Sequence, residues 1–186
     1  MIGFAMTGSF CTLQRSIKTL SLLIDKGWDV LPIMSDYVYN TDTRFGKSVE
    51  IRDKIEKLCG KEIVHNIVEA EPLGPKIKLQ AMVVCPCTGN TLAKIANGIT
   101  DTPVCMACKA HLRNNSPLIL TVASNDALSS NLKNIATLLS KKNVYFTPMT
   151  QDDPEQKPHS LVADFDLVLP TLEAAIKGKQ YQKIFI

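Results

Sequence analysis

A run of small polar residues near the middle of the chain, Thr88-Gly89-Asn90-Thr91, carries the side chains best suited to hold a polar ligand. Its hydroxyl and amide groups can all form hydrogen bonds, whereas a simple helix cap needs only one of them. The alternative interpretation is a capped turn in which the asparagine takes up a left-handed conformation. The residue types and their spacing leave both interpretations open.

A second run, Thr7-Gly8-Ser9-Phe10-Cys11-Thr12, lies close to the amino terminus. Glycine permits a tight turn, and hydroxyl side chains beside the free backbone amides of a helix start suit an anion such as a phosphate. The run matches neither the GxGxxG dinucleotide fingerprint nor the Walker pattern. A strand-to-helix turn with a hydroxyl cap therefore stays open as the alternative.

A third polar turn, Ala123-Ser124-Asn125-Asp126, also follows an apolar run and precedes a helical pattern. Either Ser124 or Asn125 alone would suffice to cap that helix. The turn becomes a candidate for ligand binding because we expect it to lie beside the other two.

The elements that must position these turns are strands alternating with helices. Apolar runs predict buried strands over residues 2–6, 28–34, 63–68, 81–85, 118–122 and 144–147. Helical spacing predicts helices over residues 12–26, 46–59, 91–97, 104–114 and 126–140, and a last helix that Thr171 would cap. This alternation predicts an α/β fold, a single-domain, three-layer, doubly wound parallel sheet with helices on both faces, over residues 1–186.

In a doubly wound sheet, ligands bind at the carboxyl ends of the strands near the switch point in strand order. We therefore expect the loops over residues 7–12, 35–40, 86–91 and 123–128 to converge on one site. The polar stretch over residues 151–159 holds two prolines and predicts a mobile loop around 150–160.

The composition, 45% apolar and 21% charged over 186 residues, is typical of one globular domain and excludes a disordered chain. A net charge of +3 is too mild to indicate nucleic-acid binding. No apolar stretch approaches the roughly 20 residues of a membrane span. The first basic residue is Arg15, so no signal peptide is expected and we predict a cytoplasmic protein.

The six cysteines are predicted to be reduced thiols, because a chain of this length can fold without disulfides. Two close pairs, Cys85-x-Cys87 and Cys105-x-x-Cys108, keep a structural zinc site open as an alternative. Since Cys105 and Cys108 fall in a predicted helix, where one-turn spacing also arises by chance, we expect no metal.

The polar turns resemble motifs of the FMN-binding flavoprotein family that includes phosphopantothenoylcysteine decarboxylase and the flavin prenyltransferases. The matching segments are Thr7-Gly8-Ser9, Ser35 after the second strand, Pro86-Cys87-Thr88-Gly89-Asn90-Thr91 and Val122-Ala123-Ser124-Asn125. The resemblance runs over residues 1–149 and implies a Rossmann-like fold with bound FMN. The cofactor-binding residues that it implies are Gly8, Ser9, Phe10, Ser35, Thr88, Gly89, Asn90, Thr91 and Ala123.

The chain departs from its cysteine-decarboxylating relatives at Lys76-Ile77-Lys78-Leu79, where they carry a catalytic histidine. A lysine, with an ordinary pKa of about 10.4, transfers protons poorly near neutral pH. Cysteine decarboxylation is therefore not expected. The candidates for a catalytic group are Asn125 and His111, whereas His65 and His159 lie in a strand-like run and a mobile loop.

Loop segments over residues 71–76, 109–115 and 151–154 with 157–158 resemble one subfamily, the second subunit of a two-subunit oxidoreductase of endospore-forming bacteria. That enzyme oxidises a dihydropyridine dicarboxylate of the lysine pathway to an aromatic pyridine dicarboxylate. The resemblance implies a partner subunit that carries NAD(P), because this chain lacks a dinucleotide fingerprint. It also implies a homo-oligomer, a trimer or a dodecamer.

The residues predicted to bind the dicarboxylate substrate are Lys76, Lys109, Arg113 and Asn125. Lys109 and Arg113 are four residues apart, so both would lie on one helical face and bind a carboxylate. A solvated surface face is the alternative. Two other functions also stay open: FMN-dependent decarboxylation or prenyl transfer, and a non-catalytic flavin-binding accessory role.

Overall fold

The computed structural model describes all 186 residues and contains one seven-stranded sheet. The strands are β1 (Ile2–Met6), β2 (Val30–Met34), β3 (Met82–Cys87), β4 (Leu118–Ser124), β5 (Val144–Phe146), β6 (Met149–Thr150) and β7 (Leu161–Ala163). The helices are α1 (Leu13–Asp25), α2 (Asp36–Asn40), α3 (Ser48–Cys59), α4 (Ile67–Ala70), α5 (Gly89–Asn97), α6 (Pro103–Leu112), α7 (Leu132–Leu139) and α8 (Val168–Ile176).

The parallel part of the sheet has the strand order β2-β1-β3-β4-β5. The chain moves outward from β1 to β2 and then returns to the other side of β1 with β3, so the switch point lies between β1 and β3. Beyond β5 the chain turns back, and β7 pairs antiparallel with the end of β4 and with β6. The predicted α/β doubly wound fold is confirmed, with an antiparallel edge that the sequence pattern did not predict.

The hydrophobic core forms two layers, one on each face of the sheet. Met82 and Val84 of β3 point into the layer shared with α5, α6 and α7. Val83 and Cys85 point into the opposite layer, shared with α1, α3 and α8. Both faces of these strands are buried, which explains why their sequences are continuous apolar runs without alternation.

The helices next to the polar turns have well-defined ends. Thr88 caps α5 by accepting a hydrogen bond from the Thr91 amide, and Gly98 ends that helix in a left-handed conformation at φ 72°. Thr102 caps α6 in the same way through the Cys105 amide. The capping residues thus fix where α5 and α6 begin.

Several sequence predictions about single elements are wrong. The predicted strand over residues 63–68 reduces to one bridge between Val64 and Ile33, after which α4 begins. The helix predicted from residue 126 begins only at Leu132, because hydrogen bonds to Asp126 hold the preceding residues in turns. Thr171 is not a cap: it lies inside α8 and its hydroxyl donates to the Leu167 carbonyl at 2.6 Å.

None of the helices combines the length and apolar character that crossing a membrane requires. The cysteines are all free thiols, and four of them are buried: Cys85, Cys87, Cys105 and Cys108. Burial raises the pKa of the Cys85 thiol to about 12. Burial also raises the pKa of Cys87, Cys105 and Cys108, so all four thiols are protonated and weakly nucleophilic.

Candidate functional site

A cleft of 720 Å³ opens at the carboxyl ends of β1, β3 and β4. This volume is within the range of roughly 300–1,000 Å³ that small-molecule sites occupy. We call it the strand-end cleft, and its lining comes from residues 8–12, 88–90 and 123–126 together with Asp152, Lys157, Ser160 and Val162. The cleft lies at the switch point of the sheet, where an open α/β fold binds its ligands.

Thr7 holds the first two turns of the cleft side by side. Its hydroxyl donates to the Pro86 carbonyl at 2.8 Å and accepts the Thr88 amide at 3.0 Å. The Thr88 hydroxyl in turn accepts the Thr91 amide at 3.3 Å. Because Thr7 is buried, these bonds fix the amino terminus of α5 against the end of β1.

The first turn of α5 is the main source of unused hydrogen-bond donors in the cleft. The amides of Gly89 and Asn90 have no acceptor within the helix, as in the first turn of any α-helix. A Cβ atom on Gly89 would lie 2.4 Å from Ser124 Oγ and 2.6 Å from Asp126 Oδ1. Glycine at this position therefore lets the helix start pack directly on the end of β4.

A chain of hydrogen bonds holds the Asp126 carboxylate in the cleft. The Ser124 hydroxyl donates to Asp126, and Asn131 Nδ2 donates to both carboxylate oxygens at 3.0 and 2.9 Å. Asn134 supports Asn131 through a further bond of 2.8 Å, and Asn97 of α5 donates to Asn134 at 3.2 Å. Asp126 is thus oriented by a network that also links α5 to α7.

The segment over residues 151–160 forms the outer wall of the cleft. Lys157 Nζ lies 2.9 Å from Asp152 Oδ2, and this hydrogen bond lowers the pKa of Asp152. The Leu128 amide donates to the His159 carbonyl at 2.9 Å, which ties the wall to the turn after β4. Lys157 is the only cationic side chain in the lining.

Ser35 lies beside the cleft and has an unused polar atom. Its amide donates to the Met6 carbonyl at 3.0 Å, so the residue lies next to the end of β1. Its hydroxyl is buried and has no hydrogen-bond partner. A phosphate or a polar ligand chain entering between the turns would satisfy this group together with the first-turn amides of α5, so the residues fit a flavin mononucleotide.

The structure brings together most of the residues predicted to bind the cofactor. Those that line the cleft are Gly8, Ser9, Phe10, Thr88, Gly89, Asn90 and Ala123, and Asn125 lies among them. Thr91 is buried beneath this surface and bonds Thr88 at 3.1 Å through its hydroxyl. Their assignment as cofactor-binding residues stays a prediction.

The other predicted residues lie outside the cleft. Lys109 and Arg113 line a different pocket, and Lys76 lies in the exposed turn before β3. His111 is fully buried on α6, and its Nε2 lies 2.9 Å from the Pro117 carbonyl, to which it donates. Burial lowers the pKa of His111, so its ring is neutral.

Sequence reasoning did not single out Asp126, Asp152, Lys157 or Ser160, all of which line the cleft. Asp126 had a signal, because it stands in the third polar turn two residues after Ser124. The other three come from the segment predicted as a mobile loop, where Asp152 and Lys157 carry part of the subfamily resemblance but are assigned no role in a site. Nothing in their local spacing indicates that the antiparallel pairing of β7 with β4 brings them to this cleft.

The Flavoprotein family model matches residues 1–166, and the chain belongs to that family. The dipicolinate synthase B subunit of Bacillus subtilis (strain 168) is 46% identical over 185 residues, which cover 100% of this chain and 92% of the relative. The crystal structure of the dipicolinate synthase B subunit from Bacillus halodurans matches with a TM-score of 0.92 and 44% identity over 100% of this chain and 95% of that one. The resemblance found in the sequence is confirmed.

More distant relatives share the fold. A dodecameric FMN-dependent UbiX-like decarboxylase from Escherichia coli O157:H7 matches with a TM-score of 0.66 and 18% identity, over 98% of this chain and 96% of that chain. At this level of identity the likeness concerns the fold alone. Decarboxylases and prenyltransferases are distant relatives of this chain.

Proposed function

We propose that this chain is the flavin-binding B subunit of a dipicolinate synthase and works with an A subunit that carries NAD(P). The observation that supports this most strongly is the 46% identity to a known B subunit over the full chain. That match includes the loops, which diverge fastest between related proteins. We place the protein in the cytoplasm of a sporulating cell, in the mother cell.

The proposed reaction oxidises a dihydrodipicolinate-type intermediate to dipicolinate. The ring would lose a hydride and a proton, and NAD(P) on the A subunit would be the final acceptor of the hydride. Loss of hydride is favourable because the product is aromatic. The protein therefore needs mainly to position the ring and to neutralise its two carboxylates.

The turns of the strand-end cleft would hold FMN. We assign its phosphate to the first-turn amides of α5 and to the hydroxyls of Ser9 and Thr88, because a helix start offers unpaired donors and a positive dipole end. The unpartnered Ser35 hydroxyl is assigned a further hydrogen bond to the cofactor. When bound, FMN supplies either a two-electron carrier or a flat platform for the planar substrate.

The outer part of the cleft would bind the substrate. Asn125 is exposed at the end of β4 and can donate its amide to a carboxylate, and Lys157 on the facing wall keeps two N–H groups besides the one it gives to Asp152. Asp152 is engaged by Lys157, so Asp126 is the acidic side chain in the lining that is free of an ion pair. We assign to the Asp126 carboxylate the acceptance of the proton that the ring loses.

Two measurements on purified chains test this function. The first is the flavin absorption of the full chain before and after addition of FMN, which should show a stoichiometric complex. The second is dipicolinate formation by this chain, by the A subunit, and by both together, with only the mixture expected to be active at the full rate. An A subunit that works equally well alone would contradict a catalytic role and leave an accessory one.

The assembly is proposed to be a homo-oligomer, a trimer or a dodecamer. Support comes from the dodecameric relative of the same fold. Light scattering on the purified chain would measure the mass of the assembly, and a monomer at micromolar concentration would contradict the proposal.

A further inference from the structure

A second cavity, of 320 Å³, lies between α5, α6 and the residues that follow α7. It shares no lining residue with the strand-end cleft. We call it the helix-side pocket. Its size falls at the lower end of the range for small-molecule sites, roughly 300–1,000 Å³.

The helix-side pocket is lined by three cationic side chains, Lys109, Arg113 and Lys141, and by no acidic one. Lys109 and Arg113 take part in none of the ion pairs of the structure. Lys141 Nζ donates to the Ala96 carbonyl at 3.2 Å, which leaves two of its three N–H groups unused. The nearby Asp101 carboxylate is already paired with Lys94 at 2.8 Å. The pocket therefore carries positive charge without an internal counter-ion.

The surface between these cations is largely apolar. Ile99 is 47% exposed, and Leu112 and Ile95 complete an apolar wall. An inorganic ion would leave this wall in water, whereas a ligand with a flat hydrocarbon or aromatic body would cover it. The lining thus favours an anion that has an apolar body.

The cations stand on two sides of the pocket. Helix α5 packs against both α6 and α7; Lys109 lies in α6 and Arg113 directly follows that helix, whereas Lys141 follows α7. A carboxylate at each end of a rigid body would meet a cation on each side. We propose that the helix-side pocket is a second, non-catalytic binding site for a small planar dicarboxylate. The identity of the ligand rests on the proposed function: we expect the pocket to bind the product of that reaction, dipicolinate, or a dicarboxylate of the same class.

A structural role for these cations is the rival explanation. Basic side chains near helix carboxyl ends stabilise the helix through its dipole, and all three lie close to such an end. If the cations have only that role, substituting them would lower the stability of the protein without affecting the binding of any ligand. Ligand binding therefore has to be measured directly.

The test is calorimetric titration of pyridine-2,6-dicarboxylate into the full-length FMN-loaded chain, in a buffer free of divalent metals. The variant is Lys109→Gln with Arg113→Gln, and the matched control is Lys133→Gln with Lys142→Gln, which removes the same charge from exposed positions outside the pocket. We expect one binding component of the wild type to weaken at least about tenfold in the variant and to persist in the control. Pyridine-2-carboxylate, which lacks one carboxylate, should bind this component more weakly.

Three outcomes would overturn the inference: no binding by the wild type, titrations of the variant and wild type that superimpose, or equal affinity for the monocarboxylate. Thermal unfolding of each variant separates a loss of binding from a loss of folding. FMN affinity, measured by flavin fluorescence, tests the proposed function separately from the proposed dicarboxylate site. A chain that takes up no FMN is titrated without it. Dicarboxylate binding that the variant loses would then support the pocket assignment, while the absence of FMN binding refutes the proposed function.

Discussion

The strand-end cleft and the helix-side pocket are built from different kinds of groups. Backbone amides and short, mutually hydrogen-bonded side chains build the cleft, and Thr7 and Asp126 hold them in place. Long, exposed cations on an apolar wall build the pocket, and Lys109 and Arg113 have no partner that fixes them. We therefore expect ligand binding in the cleft to be sensitive to added atoms, and ligand binding in the pocket to be sensitive to lost charge.

The largest expected effect concerns stability rather than binding, and comes from an added atom against α6, the helix that supplies Lys109 to the pocket. A Cβ on Gly74 would lie 2.1 Å from the Ala110 carbonyl of α6, and Gly74 has a φ of 138°. Gly74→Ala should lower the free energy of unfolding by about 3 kcal/mol, since it combines a backbone clash with strain. Urea denaturation measures this loss.

Gly60→Ala is the matched control for that substitution. Gly60 also has a positive φ, 63°, but nothing lies within 4 Å of its Cβ position. The control should lose only about 1 kcal/mol from strain. Equal losses of unfolding free energy in the two variants would mean that α6 shifts at little cost to accommodate the added methyl group.

Asp126→Asn should reduce dipicolinate formation by about 100-fold, because it removes the proposed proton acceptor. FMN affinity should change little, since no contact to the cofactor is assigned to this carboxylate. Steady-state rates of the two-subunit mixture measure the effect, and Asp25→Asn, at an exposed position on α1, is the control. An Asp126→Asn variant with wild-type rates would remove Asp126 from the mechanism.

Gly89→Ala tests the sensitivity of the cleft to an added atom. The new methyl group would meet Ser124, Asp126 and Asn131 at 2.4–2.6 Å, so α5 must shift away from β4. We expect a loss of about 2 kcal/mol in stability and a marked weakening of FMN binding. Gly8→Ala is the comparison, because its Cβ meets no protein atom closer than 3.7 Å. If both variants keep the same melting temperature, the packing of α5 on β4 is looser than the structure indicates.

The smallest effect concerns pH and His111, on the helix that carries the pocket. Burial lowers the pKa of His111 in the folded state, so the unfolded chain binds this proton more tightly. Its contribution to stability is therefore fully present above the unfolded pKa of about 6.5 and is lost as the pH falls below it. His111→Gln keeps a donor for the Pro117 carbonyl and should flatten the pH dependence of unfolding between about pH 5 and 7.5.

His159→Gln serves as the control for this measurement, because His159 is exposed. It should leave the pH dependence as in the wild type. If the stability of His111→Gln still falls steeply as the pH is lowered, groups other than His111 cause that loss of stability.

The elements that the sequence predicted well are the parallel strands and their following turns. Strands such as β3 are covered on both faces, and only an apolar run satisfies that environment. The residues of the turns could be predicted for the same reason, since each turn directly follows such a run. Short elements were not predicted correctly. Strand β6 spans only two residues and Val64 makes a single bridge, so neither has a periodicity in the sequence.

The candidate site was predictable only where it is local in sequence. Lys109 of α6 and Arg113, which follows that helix, do line one pocket, as their spacing indicates, but spacing cannot tell which cavity they border. Asp152 and Lys157 reach the cleft through the antiparallel return of β7, a tertiary event without a local signal. Site residues that lie on loops positioned by long-range strand pairing can therefore be identified only from a structure.

The cysteines differ in burial, and this difference leaves one thiol accessible for selective chemical labelling. Burial raises the pKa of Cys59 to about 11 and that of Cys85 to about 12, and Cys87 and Cys108 are shifted upward as well. Cys11 is exposed and lines the strand-end cleft. A maleimide dye added to the native chain near neutral pH will therefore label Cys11 first and report the arrival of cofactor or substrate without any engineered residue.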